Sequence, residues 1–175
     1  LVAMINRFKD YFLSNHQVVY ENPSPGNKAG GITTLEEKSL GCIQKAGTAL
    51  IRDVLDYGEP IQKKGVSLMY GPGNDLVSTT ALGASGCQIV LFTTGRGTPF
   101  GGFIPTYKVS TNSELAAKKP HWIDFNAGIL TEGVTLDEAA SQLVEDLIAV
   151  LEGKKTRNEI SDLRSIAIFK QGVIC

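Results

Sequence analysis

The chain has 175 residues and a formal net charge of −1, from 17 basic and 18 acidic residues. That length supports one sizeable core, and the charge balance lacks the basic excess of a nucleic-acid surface. No apolar run approaches the roughly 18 residues of a membrane span, and the three cysteines, Cys42, Cys87 and Cys175, have no CxxC spacing. The sequence therefore indicates a globular protein of a reducing compartment, the cytoplasm, with neither nucleic acid nor membrane as a partner.

The N-terminal region is predicted to hold two helices joined by a turn-rich loop. Apolar residues at helical spacing predict a helix over residues 4–13. The run NPSPGN at residues 22–27 is rich in proline and predicts a loop. Thr34 and Glu37 have the spacing of a capping box, so a second helix is expected to begin there and to run to Ala46.

The rest of the chain alternates between apolar strands and amphipathic helices. Strands are predicted at residues 49–55, 66–70, 88–92, 106–110 and 165–169, and helices at 76–84, from 112 onward and at 136–151. The last helix is expected to bury a stripe formed by Leu136, Ala140, Leu143, Leu147 and Leu151. This alternation predicts a single α/β domain over residues 1–175, three-layered and Rossmann-like with a largely parallel sheet, on which residues 1–34 pack as helix and loop.

Two glycine-rich loops follow predicted strands and should meet at the carboxyl edge of such a sheet, where ligands bind. The loop TTGRGTPFGG at residues 93–102 can point backbone N–H groups into a concavity, and Arg96 adds a fork of donors suited to a carboxylate. An Arg96 that is simply a solvated loop residue fits the composition equally well. The loop GPGND at residues 71–75 lacks the third glycine of a dinucleotide fingerprint, so a structural turn is as good an interpretation as a binding loop.

Lys28, beside the NPSPGN run, is either a cation that faces a ligand or an ordinary exposed lysine. Histidine is scarce, and the chain has no HxH, HExxH or CxxC pattern, so the sequence does not predict a complete metal site. The Walker A motif is also absent, which disfavours a nucleotide-binding module.

Several long motifs together resemble the altronate and galactarate dehydratase family, in its C-terminal part. They are NPSPGN at 22–27, GGITTLEEKSLG at 30–41, GPGND at 71–75, FTTGRG at 92–97, KVSTN at 108–112, DFNAG at 124–128 and IAIFK at 166–170. The resemblance covers nearly the whole chain and implies that it is a fragment of a longer enzyme. The implied reaction removes water from a sugar acid and gives a 2-keto-3-deoxy product, usually with Fe(II) or another divalent metal.

The resemblance also implies roles for individual residues. Carboxylate binding or stabilisation of the intermediate is expected from Lys28, Arg96 and Lys108. Substrate binding is expected from Asn27, Asn74, Thr94, Gly95, Gly97 and Asn112. Asp75 is expected to be catalytic, as the base or a metal ligand, and Glu37 and Asp124 are weaker candidates for the same two roles.

Three alternatives stay open at this point. The stretches at residues 100–105 and 118–122 look closer to galactarate-type members than to altronate dehydratases. The large subunits of sulfolactate sulfo-lyases share several motifs and would eliminate sulfite instead of water. A third hypothesis is that the chain only binds substrate or assembles, with the N-terminal domains of the same enzyme or with another copy of itself as partners.

Overall fold

The computed structural model describes residues 1–17 and 22–170, so Cys175 lies outside the described residues. Its helices are α1 (Val2–Ser14), α2 (Pro25–Ala29), α3 (Leu35–Lys45), α4 (Asp75–Ala84), α5 (Ser113–Lys118), α6 (Leu136–Leu151) and α7 (Arg157–Ile160), with a 3₁₀ turn at Ala127–Thr131. Its strands are β1 (Ile51–Leu55), β2 (Val66–Met69), β3 (Val90–Thr94), β4 (Thr106–Ser110) and β5 (Phe125–Asn126). In these described ranges, every helix is too short or too polar to cross a membrane.

All described strand pairs are parallel, which confirms the α/β class. They form two sheets, β1–β2 and β3–β4–β5, with β4 in the centre of the second. A Rossmann-like arrangement is not confirmed, because the described strands do not join into one continuous sheet. In the three-stranded sheet, Thr94, Ser110 and Asn126 stand in one row at the carboxyl edge.

The two faces of β4 have different chemistry because side chains alternate along a strand. Tyr107 and Val109 form the apolar core with Val150 of α6. On the other face, Thr106, Lys108 and Ser110 are fully enclosed at 0% exposure. The central strand therefore buries polar groups beneath the loop that connects β3 to β4.

The apolar face of α6 is rotated from the predicted stripe. Leu143 and Leu147 pack against the core as expected, but Leu136 and Leu151 are 70% and 65% exposed. The buried positions are instead Ala139 and Val150. The prediction was wrong at the two ends and at Ala140, which is also exposed. The reason is that α6 is apolar on more than one side, so the sequence pattern does not fix which side faces the sheet.

Two further predictions need correction. The tail at 165–169 makes one parallel bridge, Ser165 to Gly102, and is otherwise not a strand. The Ser165 N–H donates to the Gly101 carbonyl at 2.8 Å. Further along, the Ala167 N–H donates to the Thr80 hydroxyl at 3.2 Å and the Phe169 N–H to the Tyr57 hydroxyl at 2.9 Å, instead of to a neighbouring strand. The predicted loop at 22–27 includes the start of a short helix, because Ser24 caps α2 and the helix begins at Pro25. Proline is well suited to the first helical position, since an N–H group there would have no partner within the helix.

Candidate functional site

The carboxyl edge of the three-stranded sheet gathers part of the predicted site. The Asn112 side chain donates from Nδ2 to the Gly95 carbonyl at 3.0 Å and accepts at Oδ1 from the Leu115 N–H at 2.8 Å. It thus caps α5 while holding the loop after β3. Thr94 Oγ1 accepts from the Gly97 N–H at 2.9 Å, and Gly97 has a φ of +82°, which favours glycine. These side chains shape the loop that carries Arg96.

Arg96 joins this edge to the N-terminal turn. A Cβ added to Gly26 would lie 2.7 Å from Arg96 Cζ, so the guanidinium rests against the bare Cα of Gly26 in α2. The contact brings together the loop after β3 and the first turn of α2, two segments that are far apart in the sequence. Glycine is needed here for a close approach, which explains its place in the first turn of α2.

A lysine that was not among the predicted site residues completes this region. Lys38 in α3 donates from Nζ to Asn22 Oδ1 at 2.6 Å and to Asn27 Oδ1 at 3.3 Å. Asn27 Oδ1 also accepts from the Ser24 hydroxyl at 3.0 Å. The sequence carries no local signal for this contact, because it joins residues on either side of a glycine turn.

The cations of this region have no carboxylate partner within the part of the chain that the structure describes. Arg96, Lys38 and Lys28 are absent from its ion pairs. Lys28 lies exposed in the last turn of α2. We name the surface formed by Asn22, Asn27, Lys28, Lys38 and Arg96 the cationic turn. Three positive charges without carboxylate partners favour an anionic ligand.

Lys108 lies deeper than the other predicted residues. Its Nζ donates to the Thr98 carbonyl and stands 5.3 Å from the centre of the Phe100 ring. Burial lowers the pKa of the Lys108 ammonium to about 8, while the nearby Asp124 carboxylate opposes that shift. The structure therefore places this lysine under the β3–β4 loop, where it supports the loop from inside.

The two weaker metal candidates are already engaged in hydrogen bonds. Asp124 accepts from the backbone N–H groups of Lys108 and Arg157, both at 2.8 Å, and burial raises the pKa of its carboxyl. Glu37 Oε2 accepts from the Thr33 and Thr34 N–H groups at 2.8 and 3.2 Å, and these bonds lower the pKa of its carboxyl.

Residues 1–17 and 22–170 contain no group of three or more His, Cys, Asp or Glu side chains that could hold a metal ion. Asp75, the third candidate, stands in the first turn of α4. The described donors thus do not fit a metal by themselves.

Asn74 and Asp75 lie after β2, at the end of the other sheet. Asn74 Oδ1 accepts from the Val77 N–H at 3.2 Å and caps α4. Burial raises the pKa of the Asp75 carboxyl. No hydrogen bond or ion pair of the described residues connects either side chain to Arg96, so the structure does not join this predicted pair to the cationic turn.

An apolar groove of about 790 Å³ adjoins the cationic turn at Asn22. Its walls are one face of α1, one face of α3 and the end of β2, and they include Ile5, Phe8, Leu35, Leu40, Ile43 and Tyr70. Leu40 and Ile43 are 61% and 67% exposed. An open apolar surface of this kind is typical of an interface.

Comparison with known proteins identifies the family. The family described as "D-galactarate/Altronate dehydratase, C-terminal" matches residues 1–174. The chain belongs to this family. It is 57% identical over 173 residues to the altronate dehydratase of Escherichia coli (strain K12), which covers 99% of this chain and 35% of that protein. The chain thus spans about a third of the length of that relative and corresponds to the C-terminal domain of a dehydratase.

Two other relatives bear on the alternatives. The galactarate dehydratase (L-threo-forming) of the same E. coli strain is 41% identical over 136 residues, covering 77% of this chain and 26% of that protein. The (2R)-sulfolactate sulfo-lyase subunit beta of Chromohalobacter salexigens is 36% identical over 171 residues, covering 96% of this chain and 43% of that protein. Higher identity to the altronate dehydratase does not support the expected closeness to galactarate-type members.

Proposed function

We propose that this domain binds the carboxylate of an aldonate, altronate in the first instance, for a dehydration that the whole enzyme carries out. The contact between Arg96 and Gly26 carries the proposal, because it unites two family motifs into one cationic surface. Arg96 is the main carboxylate-binding group, since its planar fork matches a carboxylate. Lys28 adds positive charge from the exposed end of α2.

The reaction removes a proton alpha to the carboxylate and expels the hydroxyl on the next carbon. Negative charge then accumulates on the carboxylate as an enediolate, and a cation held against that carboxylate stabilises the transition state. In the proposed arrangement Asn27, Asn112, Thr94 and the Gly95–Gly97 backbone bind substrate hydroxyls. Asp75 is the base and Asn74 binds substrate, both from the end of the neighbouring sheet. The buried Lys108 keeps the Arg96 loop in place.

The site is completed by the rest of the polypeptide. The described residues do not form a metal site by themselves, so an Fe(II) ion that assists the leaving hydroxyl would need ligands from the preceding part of the enzyme. The apolar groove beside Asn22 is the surface that the preceding part covers, and ligand sites form preferentially at such domain junctions. We place the enzyme in the cytoplasm, in agreement with the free cysteines Cys42 and Cys87.

A thermal-shift measurement tests the proposal. The chain and the full-length enzyme are melted anaerobically with Fe(II) and altronate, galactarate or sulfolactate. Ligand at about 100 times Kd stabilises by about 2.7 kcal/mol, which is several degrees for a domain of this size. A shift with altronate alone supports the proposal, whereas a shift with sulfolactate alone supports a sulfo-lyase. If only the full-length enzyme responds, substrate binding requires the preceding part of the enzyme as well. If the full-length enzyme does not respond to altronate, the assigned role in carboxylate binding is wrong.

A further inference from the structure

The ammonium of Lys38 is held in an unusual way for a half-buried charge. Its two partners are the neutral amide oxygens of Asn22 and Asn27, at 2.6 and 3.3 Å. A lysine ammonium has three N–H donors, and the described residues provide no acceptor for the third. They also provide no carboxylate to neutralise its charge.

The two amides orient the ammonium but leave its charge available. Buried or half-buried charges are normally paired, since removing them from water is costly. Asn27 follows Gly26, against which the Arg96 guanidinium rests. Lys38 and Arg96 therefore reach the same turn of α2 from two different elements, α3 and the β3–β4 loop.

We propose that Lys38 is a substrate-binding residue whose ammonium donates a hydrogen bond to the sugar acid carboxylate at the cationic turn, together with Arg96. The inference rests on the proposed function and deepens it by naming a second binding cation. Asn22 and Asn27 hold the ammonium in place, and Asn27 Oδ1 is itself fixed by the Ser24 hydroxyl. A fixed ammonium and a guanidinium that reach the same turn provide a charge-assisted site for one carboxylate group.

The test compares three variants in the full-length enzyme, with altronate as the substrate. Lys38→Gln removes the charge and is expected to raise KM at least about tenfold, because hydrogen bonds to charged groups are the stronger ones. Its kcat should fall as well, because the same ammonium faces the enediolate charge that develops on the carboxylate. Lys38→Arg should restore most of the affinity. Lys45→Gln, on the same helix and equally without a described ion pair, is the matched control and should leave KM unchanged.

Salt dependence separates binding from a structural role. The KM of the parent enzyme should rise with ionic strength, and this rise should be weaker in Lys38→Gln because one attractive charge is gone. A lower melting temperature with an unchanged KM and an unchanged salt dependence would show that Lys38 only supports the fold.

If the parent enzyme neither binds altronate in calorimetry nor converts it, the proposed function fails and Lys38 loses this role with it. An active parent with an unaffected Lys38→Gln variant overturns the Lys38 inference alone.

Discussion

The Arg96 guanidinium occupies the space that a side chain on Gly26 would need. The atoms Nη1, Cζ and Nη2 would lie 2.6, 2.7 and 2.8 Å from an added Cβ, closer than real Cβ contacts allow. These are the far end of a flexible side chain, so the guanidinium rather than the backbone would move. The glycine thus makes the position of Arg96 depend on the N-terminal turn.

Gly26→Ala is therefore expected to displace Arg96 without unfolding the domain. We expect KM for altronate in the full-length enzyme to rise about tenfold, the scale of one lost charge-assisted contact. The melting temperature should change by less than about 3 °C, because alanine is well tolerated in a helix. Steady-state kinetics and calorimetric melting measure the two quantities.

Gly41→Ala is the matched control for this substitution. Gly41 lies inside α3, and an added Cβ there meets no atom within 4 Å. The change should stabilise the protein by about 0.5–1 kcal/mol, because glycine in a helix interior is less favourable than alanine. Equal KM values for the two variants would contradict the assigned role of the Gly26–Arg96 contact.

Lys108 is expected to make stability depend on pH in the alkaline range. The pKa of its ammonium is lowered from 10.5 to about 8 in the folded chain, so the unfolded chain binds more protons between these values. The free energy of unfolding should then rise with pH across that window, by at most about 1.4 kcal/mol per pH unit from this group. Urea titrations at several pH values measure the slope.

Lys108→Met removes the titrating group and should remove this contribution to the slope. The control is Lys118→Met, at an exposed position in the last turn of α5, which should keep the parental slope. A parental slope in Lys108→Met would show that another group titrates in this window.

Sequence reasoning succeeded where structure is determined locally. The capping box of Thr34 and Glu37 was predicted from spacing alone and is present, with the Glu37 N–H donating to Thr34 Oγ1 at 3.2 Å. It did not reveal Lys38, whose partners lie across a turn, nor the packing of Arg96 on Gly26. Such contacts depend on how separate elements approach each other, and the spacing of residues in the sequence does not specify that packing.

Asn112 combines two tasks that a pair of substitutions can separate. Its Oδ1 caps α5, and its Nδ2 holds the Gly95 carbonyl at 3.0 Å. Asn112→Asp keeps a good cap but loses the donor, so activity should fall with little change in stability. Asn112→Ala loses both contacts and should also lower the free energy of unfolding by about 1 kcal/mol. Equal activity of Asn112→Asp and the parent enzyme would rule out a functional role for the Gly95 contact.

Asp124 is expected to stabilise the fold without any metal. Asp124→Ala leaves the N–H groups of Lys108 and Arg157 without their acceptor, at a cost of about 1–3 kcal/mol for each group that stays buried. Asp10→Ala is the control, since Asp10 is exposed on α1. Denaturant titrations with a chelator present should show the loss in full. A loss that appears only when Fe(II) is added would identify Asp124 as a metal ligand instead.

The apolar groove predicts different outcomes in the isolated chain and in the whole enzyme. Leu40→Gln with Ile43→Gln should barely change the melting temperature of the isolated chain, because both side chains are mostly exposed in it. In the full-length enzyme the same pair should lower stability by about 1.5–3 kcal/mol for each side chain that is fully buried there. Leu151→Gln, equally exposed but outside the groove, is the control. A full-length enzyme that tolerates the double substitution as well as the isolated chain does would show that the preceding polypeptide packs elsewhere.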